Sequence, residues 1–208
     1  MDYSVSFWNR IARRYAASPI SDLDAYEQKL SVTRNYLHPE MKVLEFGCGT
    51  GSTAILHAPL VKYYHAIDVS PRMVDIALEK IEAKPMPNLT FEVAALEEFV
   101  AERGAYDALL GLNILHLMNA PQAAIEQVFA LLKPGGVFIS TTACLSDTMP
   151  LVRYVTPVGK WLRLIPRVQM LTFSQLLDWL QHAGFVIEYC DPPYSKHHSG
   201  FIVATKPM

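Results

Sequence analysis

The chain has 208 residues, 51% of them apolar and 18% charged, with a formal net charge of −2. That length suits one larger α/β or α+β domain burying roughly 70% of its unfolded surface, and the balance excludes a disordered chain. The slight negative charge excludes an overall positive field for gathering nucleic acid, and no apolar run approaches the roughly 20 residues of a membrane span.

The first ten residues, M-D-Y-S-V-S-F-W-N-R, carry an acid and no apolar leader. Three widely spaced cysteines, Cys48, Cys144 and Cys190, form no C-x-x-C pair, which predicts free thiols and a cytoplasmic setting. In chain order, Phe7, Ile11 and Tyr15 recur every four residues beside Trp8, Ala12 and Ala16, one helical stripe broken at Ser18-Pro19. Ser21 with Asp24 reads as a capping box opening a second helix through Leu23, Tyr26, Leu30 and Leu37, ending before Pro39. From residue 41 strands and helices alternate. Strands are predicted at 42–46, 62–67, 89–94, 106–112, 136–142, 185–190 and 200–205. Helices are predicted at 51–59, 71–83 (capped by Ser70-Pro71), 95–102, 120–132 and 172–183.

This pattern predicts an α/β fold: a doubly wound, mostly parallel seven-stranded sheet with an antiparallel C-terminal hairpin and an N-terminal helical cap. The whole chain, 1–208, reads as one domain. Residues 1–40 form the cap, 41–142 the ligand-binding core, 143–171 a lid insertion, and 172–208 the last helix and hairpin.

The first strand runs into V-L-E-F-G-C-G-T-G (43–51), a glycine turn at the place where open α/β sheets bind ligands. Gly47, Gly49 and Gly51 let the backbone turn tightly and approach a ligand. Their spacing, G-x-G-x-G followed by Ser52, does not meet the dinucleotide fingerprint G-x-G-x-x-G. Glu45 lies inside the strand, where a carboxylate repels a pyrophosphate and attracts an ammonium or sulfonium. Asp68 ends the second strand, where a carboxylate accepts from both hydroxyls of a ribose.

Together with A-I-D-V-S-P-R-M (66–73), Y-D-A-L-L-G-L-N-I-L-H-L (106–117) and L-L-K-P-G-G (131–136), this turn resembles the ordered motifs of class I S-adenosylmethionine-dependent methyltransferases. The small-molecule branch, which includes the ubiquinone/menaquinone-biosynthesis type, is the nearest likeness, over roughly residues 41–142. The resemblance implies a Rossmann-like methyltransferase fold, S-adenosyl-L-methionine as cofactor and S-adenosyl-L-homocysteine as product. By position it sets the methionine end of the cofactor against Gly47, Cys48, Gly49 and Gly51, with Glu45 near its amino group, directly or through water. Asp68 holds the ribose, while Val69 and Met73 wall the adenine. Asn113 lies near the reactive centre, its backbone towards the amino acid moiety, and Tyr15, in I-A-R-R-Y, closes over the cofactor. The family often has an acid after the third strand; here Ala95 stands in its place, so backbone of Ala95 and Leu96, or the side chain of Glu97, is expected to read the adenine amino group.

For catalysis the expectation is alignment and desolvation, with His116, then Tyr15 and His198, as the candidate bases where the acceptor needs one. No metal site is expected, since the adjacent His197 and His198 point to different sides. Trp8, Tyr26, Tyr154, Trp161 and Tyr194 predict a small apolar or aromatic acceptor. Arg153, Lys160, Arg163 and Arg167, among apolar neighbours, raise a peripheral membrane contact through 150–167. Two alternatives stay open. One is an amino-group (nucleobase-type) methyltransferase using Asp191-Pro192-Pro193-Tyr194, although that motif usually follows the fourth strand; the other is a non-catalytic S-adenosylmethionine-binding module. A nicotinamide oxidoreductase lacks its glycine spacing.

Overall fold

A computed structural model describes residues 3–150, 165, 166, 168–193 and 199–208. Tyr154, Trp161, Tyr194, His197, His198, the cations Arg153, Lys160, Arg163 and Arg167, and most of the 150–167 surface therefore lie outside the described residues. The seven strands follow the order β3-β2-β1-β4-β5-β7-β6. By packing, the chain divides into two compact units, residues 1–98 and 99–208.

The first unit opens with α1 (Tyr3–Ala17) and α2 (Leu23–Arg34). The predicted stripe on α1 is only partly a core face: Phe7 and Ala12 are buried, whereas Tyr15 is 52% exposed. Trp8 packs against Ala12, Met73 and Ile76, seating α1 on α4 (Pro71–Glu82). The cap of α2 is Asp22, not the expected Ser21: its carboxylate oxygen accepts the Ala25 amide at 2.9 Å. An ionised acceptor at a helix N-terminus gains from the helix dipole as well as the hydrogen bond. The helix ends at Arg34, short of Leu37.

Three parallel strands follow, β1 (Lys42–Phe46), β2 (Tyr63–Asp68) and β3 (Leu89–Val93). Four of the five β1 residues are buried, as expected for a parallel strand covered on both faces. The short α3 (Ser52–His57) continues as one 3-10 turn, and α4 has the predicted cap, the Ser70 hydroxyl accepting from the Met73 amide at 3.2 Å. The predicted helix 95–102 is instead a single 3-10 turn, Leu96–Glu98. Only Leu96 of that turn is buried, so there is no apolar face to hold a longer helix of neighbouring acids.

The second unit contains β4 (Tyr106–Leu112), β5 (Leu132–Ala143), β6 (Val186–Asp191) and β7 (Ser199–Thr205). β4 and β5 are parallel, and β7 lies antiparallel to both β5 and β6, which is the expected C-terminal hairpin. β5 begins four residues before the predicted 136, because Leu132 already pairs with Tyr106 before the register shifts through Lys133–Gly136. Helices α5 (Pro121–Leu131) and α7 (Phe173–His182) flank these strands in sequence, and α7 has a complete capping box from Thr172 and Gln175. Of the predicted lid, residues 145–148 form the short helix α6, whose Asp147 accepts the Phe173 amide at 2.6 Å. Among the described residues no helix is long and apolar enough to cross a membrane.

Candidate functional site

The first unit gathers most of the sequence-predicted residues around the glycine turn. In the β1–β2 register Glu45 pairs with Ala66. Paired residues of a parallel sheet share a face, so Glu45 sits between Tyr64 and Asp68, the residues two positions to either side of Ala66. The Tyr64 hydroxyl donates to Glu45 Oε2 at 2.7 Å, and both residues are almost fully buried. At the end of β2, Asp68 Oδ2 accepts the Gly49 amide at 2.9 Å and Oδ1 accepts the Ser70 amide at 2.8 Å. Asp68 thus ties the glycine turn to the start of α4, while each carboxylate oxygen retains a lone pair for another donor.

The turn takes positive φ at Gly47, Gly49 and Gly51. Gly51 is further constrained by contact: a Cβ there falls 2.6 Å from the Phe91 ring and 2.8 Å from Ala77 Cβ. Only glycine meets both demands. Tyr15 lies over the turn, its ring 3.9 Å from where a Gly49 Cβ would be, in edge contact with Trp8. Asn9 Oδ1 accepts from the Ser70 hydroxyl at 2.7 Å and the Arg72 amide at 3.2 Å, anchoring α1 beside Asp68. Lys80, in the last turn of α4, donates to Thr50 O, Thr50 Oγ1 and Ser52 Oγ.

The electrostatics are one-sided. Burial, with a smaller push from Asp68 and against the Tyr64 hydrogen bond, raises Glu45 to about 7. Burial raises Asp68 too, opposed by the Ser70 and Gly49 amides. The Cys48 thiol is pushed well up by burial and then by Glu45 and Asp68, so it is no nucleophile at neutral pH. Tyr15 is half exposed, and the atoms crowded about it, then Asp68 and Tyr26, raise its hydroxyl. Among the described residues neither Glu45 nor Asp68 has an ion-pair partner. Two buried acids without a cation suit a cationic ligand and oppose a diphosphate.

The remaining cofactor candidates are placed as follows. Val69 is partly buried beside Asp68, and Met73 is 2% exposed under Trp8. Leu96 is buried, Ala95 is partly so, and the Glu97 side chain is exposed.

In the second unit, Asn113 follows β4 and is the one non-glycine among the described residues with positive φ, at 57°. Its amide donates to Thr141 O at 2.7 Å. A non-glycine held left-handed at a strand's carboxyl end is a conformation that clusters at functional sites. His116 lies in a 3-10 turn (Leu115–Leu117), where its Nδ1 accepts the Ala143 amide at 3.3 Å. The proton is therefore on Nε2, and burial lowers the ring to about 4. Asp191 is the last residue of β6 rather than a loop residue beyond it. Among the described residues no group of acids, histidines and cysteines could hold a metal ion.

The contributions of Tyr64, Asn9 and Lys80 lie outside the sequence motifs. Tyr64 had a signal, because period two from Asp68 places 64, 66 and 68 on one face. Asn9 and Lys80 had none.

Residues 43–136 match a family described as "Methyltransferase domain". Over 156 residues the chain is 30% identical to a ubiquinone biosynthesis O-methyltransferase of Xanthomonas axonopodis pv. citri, covering 71% of this chain and 63% of that one. It is 28% identical over 158 residues to a highly reducing polyketide synthase of Emericella nidulans, covering 67% of this chain and 6% of the synthase. The chain thus spans less than two thirds of these curated relatives. The crystal structure of magnesium protoporphyrin IX methyltransferase from Synechocystis PCC 6803, with bound S-adenosylhomocysteine, shares the fold at a TM-score of 0.75 and 19% identity, over 97% of both chains. The matched domain and the mixed seven-stranded sheet define a Rossmann-like methyltransferase class. Residues 43–136 thus carry a methyltransferase domain, and with these likenesses it supports a class I S-adenosylmethionine-dependent methyltransferase of the small-molecule type.

Proposed function

We propose that this chain transfers a methyl group from S-adenosylmethionine to a small, apolar or aromatic acceptor, as one methyltransferase domain acting in the cytoplasm. The observation carrying the reading is the pair of buried acids, Glu45 and Asp68, set against a left-handed glycine turn with no ion-pair partner among the described residues. The cofactor supplies an electrophilic methyl on a sulfonium, and its ammonium and ribose hydroxyls are the complements these carboxylates need. In this reading Glu45 faces the ammonium, the spare lone pairs of Asp68 accept from the ribose, and Tyr15 covers the turn. Met73 acts from beneath, keeping α1 seated through Trp8.

Because His116 uses its basic nitrogen on Ala143 N–H, it supports the acceptor side in its neutral form and is a poor base. Alignment and exclusion of water then carry the rate, several kcal/mol of barrier being available from positioning alone. The name of one relative, a ubiquinone biosynthesis O-methyltransferase, favours an oxygen as the methylated atom.

The test is incubation with S-adenosylmethionine labelled in its methyl group against a panel of catechols, prenylated phenols and β-ketoacyl thioesters. Acceptor-dependent transfer of label with stoichiometric S-adenosylhomocysteine supports the proposal. Tight binding of S-adenosylhomocysteine with no transfer, to the panel or to a metabolite extract, makes the chain a binding module instead.

A further inference from the structure

We infer that Lys80 is a positioning residue of the methyl-donor site, fastening the glycine turn from its outer side; this rests on reading that turn as the cofactor cradle. A lysine ammonium carries three donors. Here they go to Thr50 O at 2.7 Å, Thr50 Oγ1 at 2.9 Å and Ser52 Oγ at 2.8 Å. The residues on either side of Gly51 are thereby tied to the last turn of α4. One residue earlier, the Gly49 amide is held by Asp68 from the end of β2.

The turn needs such fastening for a physical reason. Gly47, Gly49 and Gly51 adopt positive φ, and glycine loses more backbone freedom on being fixed than any other residue. The Gly49 amide and the Thr50 carbonyl are restrained from two directions, and the Gly51 Cα is wedged between Phe91 and Ala77. Of these restraints only Lys80 brings a full positive charge, and charge-assisted hydrogen bonds to a carbonyl are the stronger kind. Lys80 as a residue is exposed while Thr50 is 6% exposed, so the charge is spent on the turn and not on filling a core. Lys80 acts on the backbone geometry that a ligand's amino acid end must meet, and it touches no reacting atom.

The test uses the full chain and calorimetry with two probes, S-adenosylhomocysteine and 5′-methylthioadenosine, which lacks the amino acid end. Lys80→Met keeps the stem and removes the ammonium. It is expected to weaken S-adenosylhomocysteine about tenfold, the low end for a charged hydrogen bond because the residue is exposed, and methylthioadenosine less than about twofold. The double variant Thr50→Val/Ser52→Ala removes the two hydroxyl acceptors and leaves the Thr50 carbonyl, so it should give a smaller loss with the same selectivity for S-adenosylhomocysteine, and Lys80→Met added to it should cost less than Lys80→Met alone. It also serves if Lys80→Met fails to fold. Equal weakening of both probes, or none of either, overturns the assignment and leaves Lys80 a merely structural contact. Wild-type protein that binds no S-adenosylhomocysteine overturns the cofactor reading itself, and the inference with it.

Discussion

The two compact units treat polar groups in opposite ways. Residues 1–98 bury Glu45, His57, His65 and Asp68, and the Tyr64 hydroxyl with them. Among the described residues of 99–208 the buried polar ones are Ser140, Thr141 and Thr142, with Ser140 and Thr142 hydroxyls 3.1 Å apart. The acids of that unit sit nearer water, as in the Lys133–Asp107 pair, and its helices are held by apolar contacts such as Phe129 edge-on to Phe185 at 5.0 Å. Buried charge lowers stability unless something compensates it. The first unit therefore carries buried acids that protonation or hydrogen bonds must compensate, whereas the second buries hydroxyls that bond to one another at little cost.

The largest break of this contrast comes from Asp68. Asp68→Ala leaves the Gly49 and Ser70 amides without acceptors and is expected to weaken S-adenosylhomocysteine by at least about a hundredfold, by calorimetry, and to destabilise by about 2–3 kcal/mol. Ser140→Ala in the other unit should cost about 1 kcal/mol and leave affinity alone. Equal effects would dissolve the distinction between the units.

Next in size are two left-handed glycines. Gly51→Ala combines positive φ with a Cβ 2.6 Å from Phe91, and should cost about 3 kcal/mol in chemical denaturation. At Gly104 the nearest atom is 3.8 Å away, so Gly104→Ala carries only the backbone strain, about 1 kcal/mol.

Glu45 gives a pH signature. Its folded value is raised from 4.5 to about 7, so the folded protein holds the proton more tightly than the unfolded chain does. Without ligand, stability should fall as pH rises from about 4.5 to 7, by up to about 3 kcal/mol. The ammonium of a bound amino acid prefers the ionised acid, so S-adenosylhomocysteine affinity should fall up to about tenfold per unit as pH drops below 7. Glu45→Gln should flatten both profiles; a slope unchanged in that variant would assign the titration elsewhere.

His57 gives the smallest effect, with the opposite sign. Neither ring nitrogen has a well-formed hydrogen bond among the described residues, and burial, aided by Arg34 and opposed by the Leu30 backbone, lowers it from 6.5 to about 4. Protonation favours the unfolded chain, so stability contributed by neutral His57 is lost as pH falls from 6.5 towards 4. At pH 5 the loss is about 2 kcal/mol at most. His57→Leu should remove that slope in thermal melts, and a slope that persists would exclude His57 as its source.

The strands were legible because their signals are local. Apolar runs of four to seven residues between glycine, proline and polar breaks marked all seven, within a residue or so except at the start of β5. There Lys133-Pro134-Gly135-Gly136 reads as a loop, yet Leu132 bridges to Tyr106 before it, a pairing set by a distant strand. Helix 95–102 was misjudged because charged residues of good helix propensity fill it, and propensity without a buried face does not hold a helix. In the site, Glu45, the glycines and Asp68 could be read from spacing along one strand–turn–helix unit. The hydrogen bonds of Asn9 and Lys80 join residues 61 and 30 positions apart, a separation at which linear spacing carries no signal, while Tyr64 is marked only by its period-two place with Asp68.

The central claim is that the first unit is built for a cationic adenosyl amino acid and against a dinucleotide. Its most direct test is calorimetric titration of the wild-type chain with S-adenosylhomocysteine and, separately, with NAD at pH 7.5. The account predicts one S-adenosylhomocysteine bound per chain in the micromolar range and no heat from NAD. Binding of NAD with S-adenosylhomocysteine inert would contradict it.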